Sequence, residues 1–351
     1  MIGRPDYGVD FVADDVEFLR MHADVKTADP LSVRHDDSLA PFQQNRMRPD
    51  FSATENMLDR YLDWSQSSTD ATQVDIIAAQ RDIDKVFGGF LANRANIFEF
   101  HPTAITVADD LMAKTGNPRP NLYGYSIGNT PELSGTYTGD EREVQLIDIL
   151  DASVTAAHYS LHSLLKARTA LRNGEGDAAA GSLNTTLEHL DASHRSMLRA
   201  YREVGGPFVA NQQNRYVVGL KHRGTEYEGP NPSHSVFLAV DRFALGSLES
   251  LQVNPALKKH LEHRQSDMPA HLRRLTAEAD EAGDNESIRE LSDRYFPPAS
   301  EVATEIIQLI RKFKVAHRSY ADRALEAKGK TLSETDTDLL APGIALARSK
   351  E

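Results

Sequence analysis

Residues 141–172 read EREVQLIDILDASVTAAHYSLHSLLKARTALR, and this stretch decides the fold. Leu146, Ile149, Leu150, Val154, Leu161, Leu164 and Leu165 recur there at the steps expected of one apolar stripe on a long α-helix. The same period holds upstream from Thr72, through Ile76, Ile83, Val86, Phe87, Phe90 and Leu91. Before that, the first 70 residues are polar and Asp-rich, with short helices expected at 14–22 and 53–64. Downstream, the Gly-rich residues 174–181 predict a break, followed by helices at 182–201, 236–250, 255–282 and 287–295. Pro297 and Pro298 open a last long helix over 299–328, the place Pro prefers. Two irregular stretches separate these elements: TGNPRPNLYGYSIGNTPELSGTYTG at 115–139, and 205–235 with its GGP, HRG and EGPNP. Connections of that length tend to be functional. No alternating pattern is long enough to build a sheet, and no internal repeat occurs, so the expected fold is all-α with long irregular central loops.

Composition narrows the chemistry. Across 351 residues there is no cysteine, which excludes disulfides, thiolate-held zinc or haem, iron–sulfur clusters and cysteine nucleophiles. Any metal must be held by the 13 His or by carboxylates, and the missing thiols fit a reducing compartment. The 52 Asp+Glu outweigh 39 Lys+Arg to give a net charge of -13, which argues against nucleic-acid and anionic-membrane partners. The N-terminal MIGRPDYGVDFVADDVEFL places acids where a signal peptide needs an apolar run. No apolar run approaches the roughly 18 residues of a membrane helix. A soluble, cytoplasmic protein is expected.

Two motif matches are decoys. Gly124-Tyr125-Ser126-Ile127-Gly128 fits G-x-S-x-G, but a nucleophile elbow needs a strand before it and a helix after it. Gly329-Lys330-Thr331 imitates the end of a phosphate loop, yet Ala324 stands where the first Gly belongs. His158 and His162 share a helix face, but no Glu-x-x-His occurs to support a di-iron site. One of the pair is expected half-buried and the other solvated, and His260 and His263 sit on a charged, solvated face. His317 differs, since Ile306, Ile310, Phe313, Ala316, Ala321 and Ala324 place it on the apolar stripe of the last helix. Small neighbours leave room for a flat ligand, and Arg311, Lys312 and Lys314 offer cations. A packed core histidine and an axial haem ligand both satisfy that pattern.

Residues 312–325, KFKVAHRSYADRAL, resemble the proximal-ligand helix of the indoleamine 2,3-dioxygenase superfamily, and most of all its monodechloroaminopyrrolnitrin synthase branch. Further pieces fall in the same order: Gly135-Thr136-Tyr137-Thr138-Gly139, Arg199-Ala200-Tyr201-Arg202, Tyr227-Glu228-Gly229-Pro230, SHSVFLAVDRFALG at 233–246 and DMPAHLRRL at 267–275. The similarity spans roughly residues 95–330. It implies a helical bundle enclosing haem b, with an N-terminal segment (1–70) packed on a catalytic domain (71–330) and a C-terminal tail (331–351).

The resemblance also assigns roles. His317 matches the proximal iron ligand, with Phe313 beside it, and Lys314 matches a family Arg that pairs with a haem propionate. The loop at 122–129 matches the distal pocket wall, placing Tyr125 and Ser126 near the substrate. Residues 229–233 match the loop over the distal face, with Asn231 facing substrate and His234 beside it; Ser126 and His234 become the catalytic candidates. The family Arg that binds a substrate carboxylate aligns with Asn214, next to Arg215. A distal-helix Ser falls near Ile147, and the Gly-rich closing loop becomes GKTLSETDTD at 329–338. The implied activity is oxygenation of tryptophan or a related indole or aromatic amino acid in secondary metabolism, with O2 or peroxide as co-substrate. Hydroxylation of a phenolic amino acid and haem binding without turnover are the alternatives. A homodimer is compatible with either.

Overall fold

The computed structural model describes residues 24–25, 27–33, 51–92, 95–116, 141–205, 208, 220–222, 225–227, 235–247, 268 and 270–326. The expected helix at 14–22 and the first half of that at 255–282 lie outside them. The order is α1 (Phe51–Ser67), α2 (Gln73–Ala92), the single turn α3 (Ile97–Phe100), α4 (Thr103–Thr115), α5 (Glu141–Asn173) and α6 (Gly176–Arg199). The last of these runs into a π-helical turn, Ala200–Gly205. After a hairpin of β1 (Leu220–His222) and β2 (Thr225–Tyr227) come α7 (Ser235–Leu245), α8 (Ala270–Glu281), α9 (Ile288–Tyr295) and α10 (Ser300–Glu326). The fold is therefore mainly α. The hairpin is antiparallel, with Leu220 opposite Tyr227 and His222 opposite Thr225.

A first apolar cluster joins Leu31 and Val33 to α1, α2 and α4 through Met57, Leu58, Ile83, Phe87, Phe90, Val107 and Leu111. It runs across residue 70, so the polar N-terminal stretch shares a core with the helices that follow. Burial of each such side chain contributes roughly 1.5–3 kcal/mol. Helix α2 is buried beyond its apolar stripe, and Arg81, Asp82 and Asp84 are at most 1% exposed. Arg81 is satisfied there by Asp82 (2.8 Å) and by the carbonyls of Val25 (2.6 Å) and Ala28 (3.0 Å). Tyr61 and Ser65 both donate to Asp110, tying α1 to α4.

The second cluster is built on α5 and draws α6, α7, α8, α9 and α10 around Leu161, Leu164, Leu183, Phe243, Leu291 and Ile306. Helices α5 and α6 run antiparallel: Ser153 meets Ser193 (2.9 Å), Tyr159 stacks on His189, and Gln145 donates to Glu203. The expected break at 174–181 shrinks to Gly174 and Glu175. Gly174 takes φ +76 and ends α5, while Gly181 lies inside α6. A glycine costs a helix about 1 kcal/mol, which packing along α5 outweighs. Gly176 lies against Phe296 just before α10, and His194 lies against Phe313 within it. Helix α10 thus runs parallel to α6. Among the described residues, no helix is long and apolar enough to cross a membrane.

Contacts from later in the chain reach the helices of the first cluster. Arg273 of α8 donates to the carbonyl of Thr115 (3.3 Å), and the His222 ring packs 5.3 Å from that of Phe98 with Asn96 at its Nδ1.

Candidate functional site

Of the residues the sequence singles out, Phe313, Lys314 and His317 lie on α10. His317 follows Phe313 by one turn, so the two share a helix face. Tyr125, Ser126, Asn214, Arg215, Asn231 and His234 lie outside the described residues, as do His260, His263 and the side chain of His317.

Phe313 and Lys314 sit where α10 crosses α7. Phe313 stacks on Phe237 with centroids 5.1 Å apart and planes at 24°, and it receives the His194 ring of α6 edge-on at 5.9 Å. One residue on, Lys314 Nζ meets Asp241 Oδ2 at 2.5 Å, and both side chains are half-buried. Phe237 and Asp241 are four apart on α7, so one face of that helix offers a ring and a carboxylate to two consecutive residues of α10. The neighbouring Arg242 turns the other way, to Asp280 (2.5 Å) and the carbonyl of Asp284 (2.8 Å).

Burial pushes His194 below the ordinary imidazole range; Asp191 opposes this and Lys312 adds to it. Its Nε2 is buried and has no hydrogen-bond partner among the described residues. His194 therefore presents a neutral ring beside Phe313. Burial holds the Asp241 carboxyl above its ordinary value, and the Lys314 ammonium offsets only part of that.

The expectation of one half-buried and one solvated histidine at 158 and 162 does not hold: both are 2% exposed. They lie on the part of α5 that other helices cover, and the His158 Nδ1–H donates to the Val154 carbonyl at 2.9 Å. Ile147, where the family serine would fall, is a buried core residue. Among the described residues, no group of three or more His, Cys, Asp or Glu could hold a metal ion.

Sequence reasoning did not single out His194, Phe237 or Asp241. The only signal for the last two is their four-residue spacing in SVFLAVDRFAL, and His194 carries no local mark. Their partners lie more than 70 residues away in the chain. No protein-family model matches the chain, and no curated protein matches it.

Proposed function

We propose that the protein is a histidine-ligated haem-dependent oxygenase acting on tryptophan or a related indole or aromatic amino acid. The observation that carries this reading is the KFKVAHRSYADRAL segment: it forms one continuous helix in which His317 follows, by one turn, a residue packed among aromatic rings. The ordered resemblance across residues 95–330 supports it.

The donor set at this crossing fits haem. Phe237 and Phe313 supply apolar ring surface on the stripe that leads to His317, and Lys314 supplies a cation for a propionate. With no thiolate available, His317, the residue that matches the family's iron ligand, would hold the iron through its imidazole. When bound, haem supplies the oxygen-activating redox chemistry. The chain's own residues do the rest. The His317 imidazole must be neutral to ligate, a form that the apolar residues spaced around it in the sequence would favour. Phe237 and Phe313 would help to exclude water beside the bound group, and Lys314, paired here with Asp241, would offer a cation to one of its carboxylates. Tyr125, Ser126, Asn231, His234 and the Asn214–Arg215 pair are assigned to the substrate side by the resemblance alone.

Product analysis tests the activity. The reduced, aerobic, haem-loaded protein should convert L-tryptophan or a substituted indole to a product carrying oxygen by mass spectrometry. Arg215→Ala should raise the substrate dissociation constant and leave the haem spectrum unchanged. Conversion of L-tyrosine alone would move the activity to phenolic hydroxylation, and loss of haem in Arg215→Ala would make that residue structural.

A further inference from the structure

Asn96 and His222 join α3 to the hairpin by a contact whose polarity the structure fixes. Asn96 caps α3, and its Oδ1 accepts from the Phe98 N–H at 3.1 Å. Its Nδ2 donates to Glu99 Oε1 at 3.0 Å, where an ionised carboxylate can only accept. Both partners set the same orientation of the amide, with its nitrogen toward His222. The second Nδ2 hydrogen meets His222 Nδ1 at 3.3 Å, so Nδ1 is the acceptor. A neutral ring that accepts at Nδ1 carries its hydrogen on Nε2. That Nε2 is buried and has no hydrogen-bond partner among the described residues.

We infer that the Asn96–His222 contact is an acid-released latch, which holds the hairpin on α3 while the imidazole is neutral and lets go when the ring takes a proton. Imidazole is the side chain that changes charge between about pH 5 and 8. A protonated ring has an N–H on both nitrogens, so Nδ1 would aim a hydrogen at the Asn96 amide hydrogen. The amide cannot turn over in response without losing the Phe98 cap and setting its oxygen against Glu99. The charged ring is then left with two unpaired donors beside the Phe98 ring, 5.3 Å away. Water offers acceptors to both, which favours release. The groups at this contact are the Asn96 amide with the Glu99 carboxylate behind it, the uncharged Phe98 ring, and, opposite in the hairpin register, Thr225. In the chain, the hairpin lies between Asn214–Arg215 and residues 229–233, which the resemblance assigns to the substrate side. The latch itself does not depend on that assignment.

Hydrogen exchange of the full chain, read by mass spectrometry as protection factors at pH 7.5 and pH 5.5, tests the latch. Protection of residues 220–227 should fall at the lower pH by at least about fivefold, the loss of one hydrogen bond. The reference is α9, which contains no histidine. His222→Asn puts an amide oxygen where Nδ1 stands and cannot take a proton, so its hairpin should be equally protected at both pH values. Asn96→Asp keeps a cap for Phe98 but offers His222 a carboxylate, so protection should rise at pH 5.5 instead. Equal wild-type protection at the two pH values overturns the latch, as does a hairpin unprotected at both. A fall in His222→Asn as large as in the wild type also overturns it, because the imidazole proton is then not the trigger. So does a wild-type-like fall in Asn96→Asp, because the polarity of the contact is then without effect.

Discussion

Asp284 shows how single residues hold the second cluster together. Burial would raise its carboxyl, but the hydrogen bond from Arg172 and the charge and hydrogen bond of Arg168 outweigh that and hold it below the usual carboxylate range. Arg168 is 2% exposed and also donates to the carbonyls of Phe243 (2.6 Å) and Glu286 (3.0 Å), so one guanidinium ties α5 to α7 and to the α8–α9 connection. A carboxylate whose folded pKa is depressed contributes its full stability above its unfolded value of about 3.9, and loses it as pH falls through the folded value. Urea unfolding should therefore show stability declining below about pH 4. Asp284→Asn should cost about 3 kcal/mol at pH 7 and flatten that acid decline, because it leaves Arg168 buried without its counter-charge. An unchanged midpoint would contradict this role.

At the scale of the element, two glycines in α6 should respond in opposite directions to the same change. A Cβ on Gly176 would fall 2.3 Å from the ring of Phe296, so Gly176→Ala should destabilise by about 1–3 kcal/mol as ring or helix shifts. Gly181 is exposed mid-helix with nothing within 4 Å of an added Cβ, and Gly181→Ala should stabilise by about 1 kcal/mol. Thermal unfolding of both variants checks the pair; the same sign in both would contradict the packing of α6 on the entry to α10. Helix α9 carries a capping box, with Ser287 accepting from the Glu290 N–H while Glu290 accepts from the Ser287 N–H. Ser287→Ala should cost about 1 kcal/mol. Helix α5 was legible in the sequence because its apolar stripe repeats without interruption, and α10 because two prolines mark its start. The start of α6 was not, since Gly176 and Gly181 read as a break. Their cause is different at each position: one makes room for Phe296, while the other is tolerated in solvent.

At the scale of the whole molecule, the described residues hold three apolar clusters, and α8 and the hairpin reach the first of them through Arg273 with Thr115 and through His222 with Asn96 and Phe98. The helical class and the last helix could be read from periodicity, which is a local property. The partners of Phe313 and Lys314 could not, because His194, Phe237 and Asp241 reach them only through packing of α6 and α7 on α10. Zero cysteine sets the remaining constraint, since it removes thiolate from the ligands that could hold iron in this protein. His317 is the claim on which the functional account turns. The most direct measurement is the absorption spectrum of the purified chain reconstituted with haem, wild type against His317→Ala. The account predicts a Soret band with an axial-imidazole signature in the wild type and its loss in the variant. No Soret band in the wild type, or an unchanged imidazole signature in His317→Ala, would contradict it.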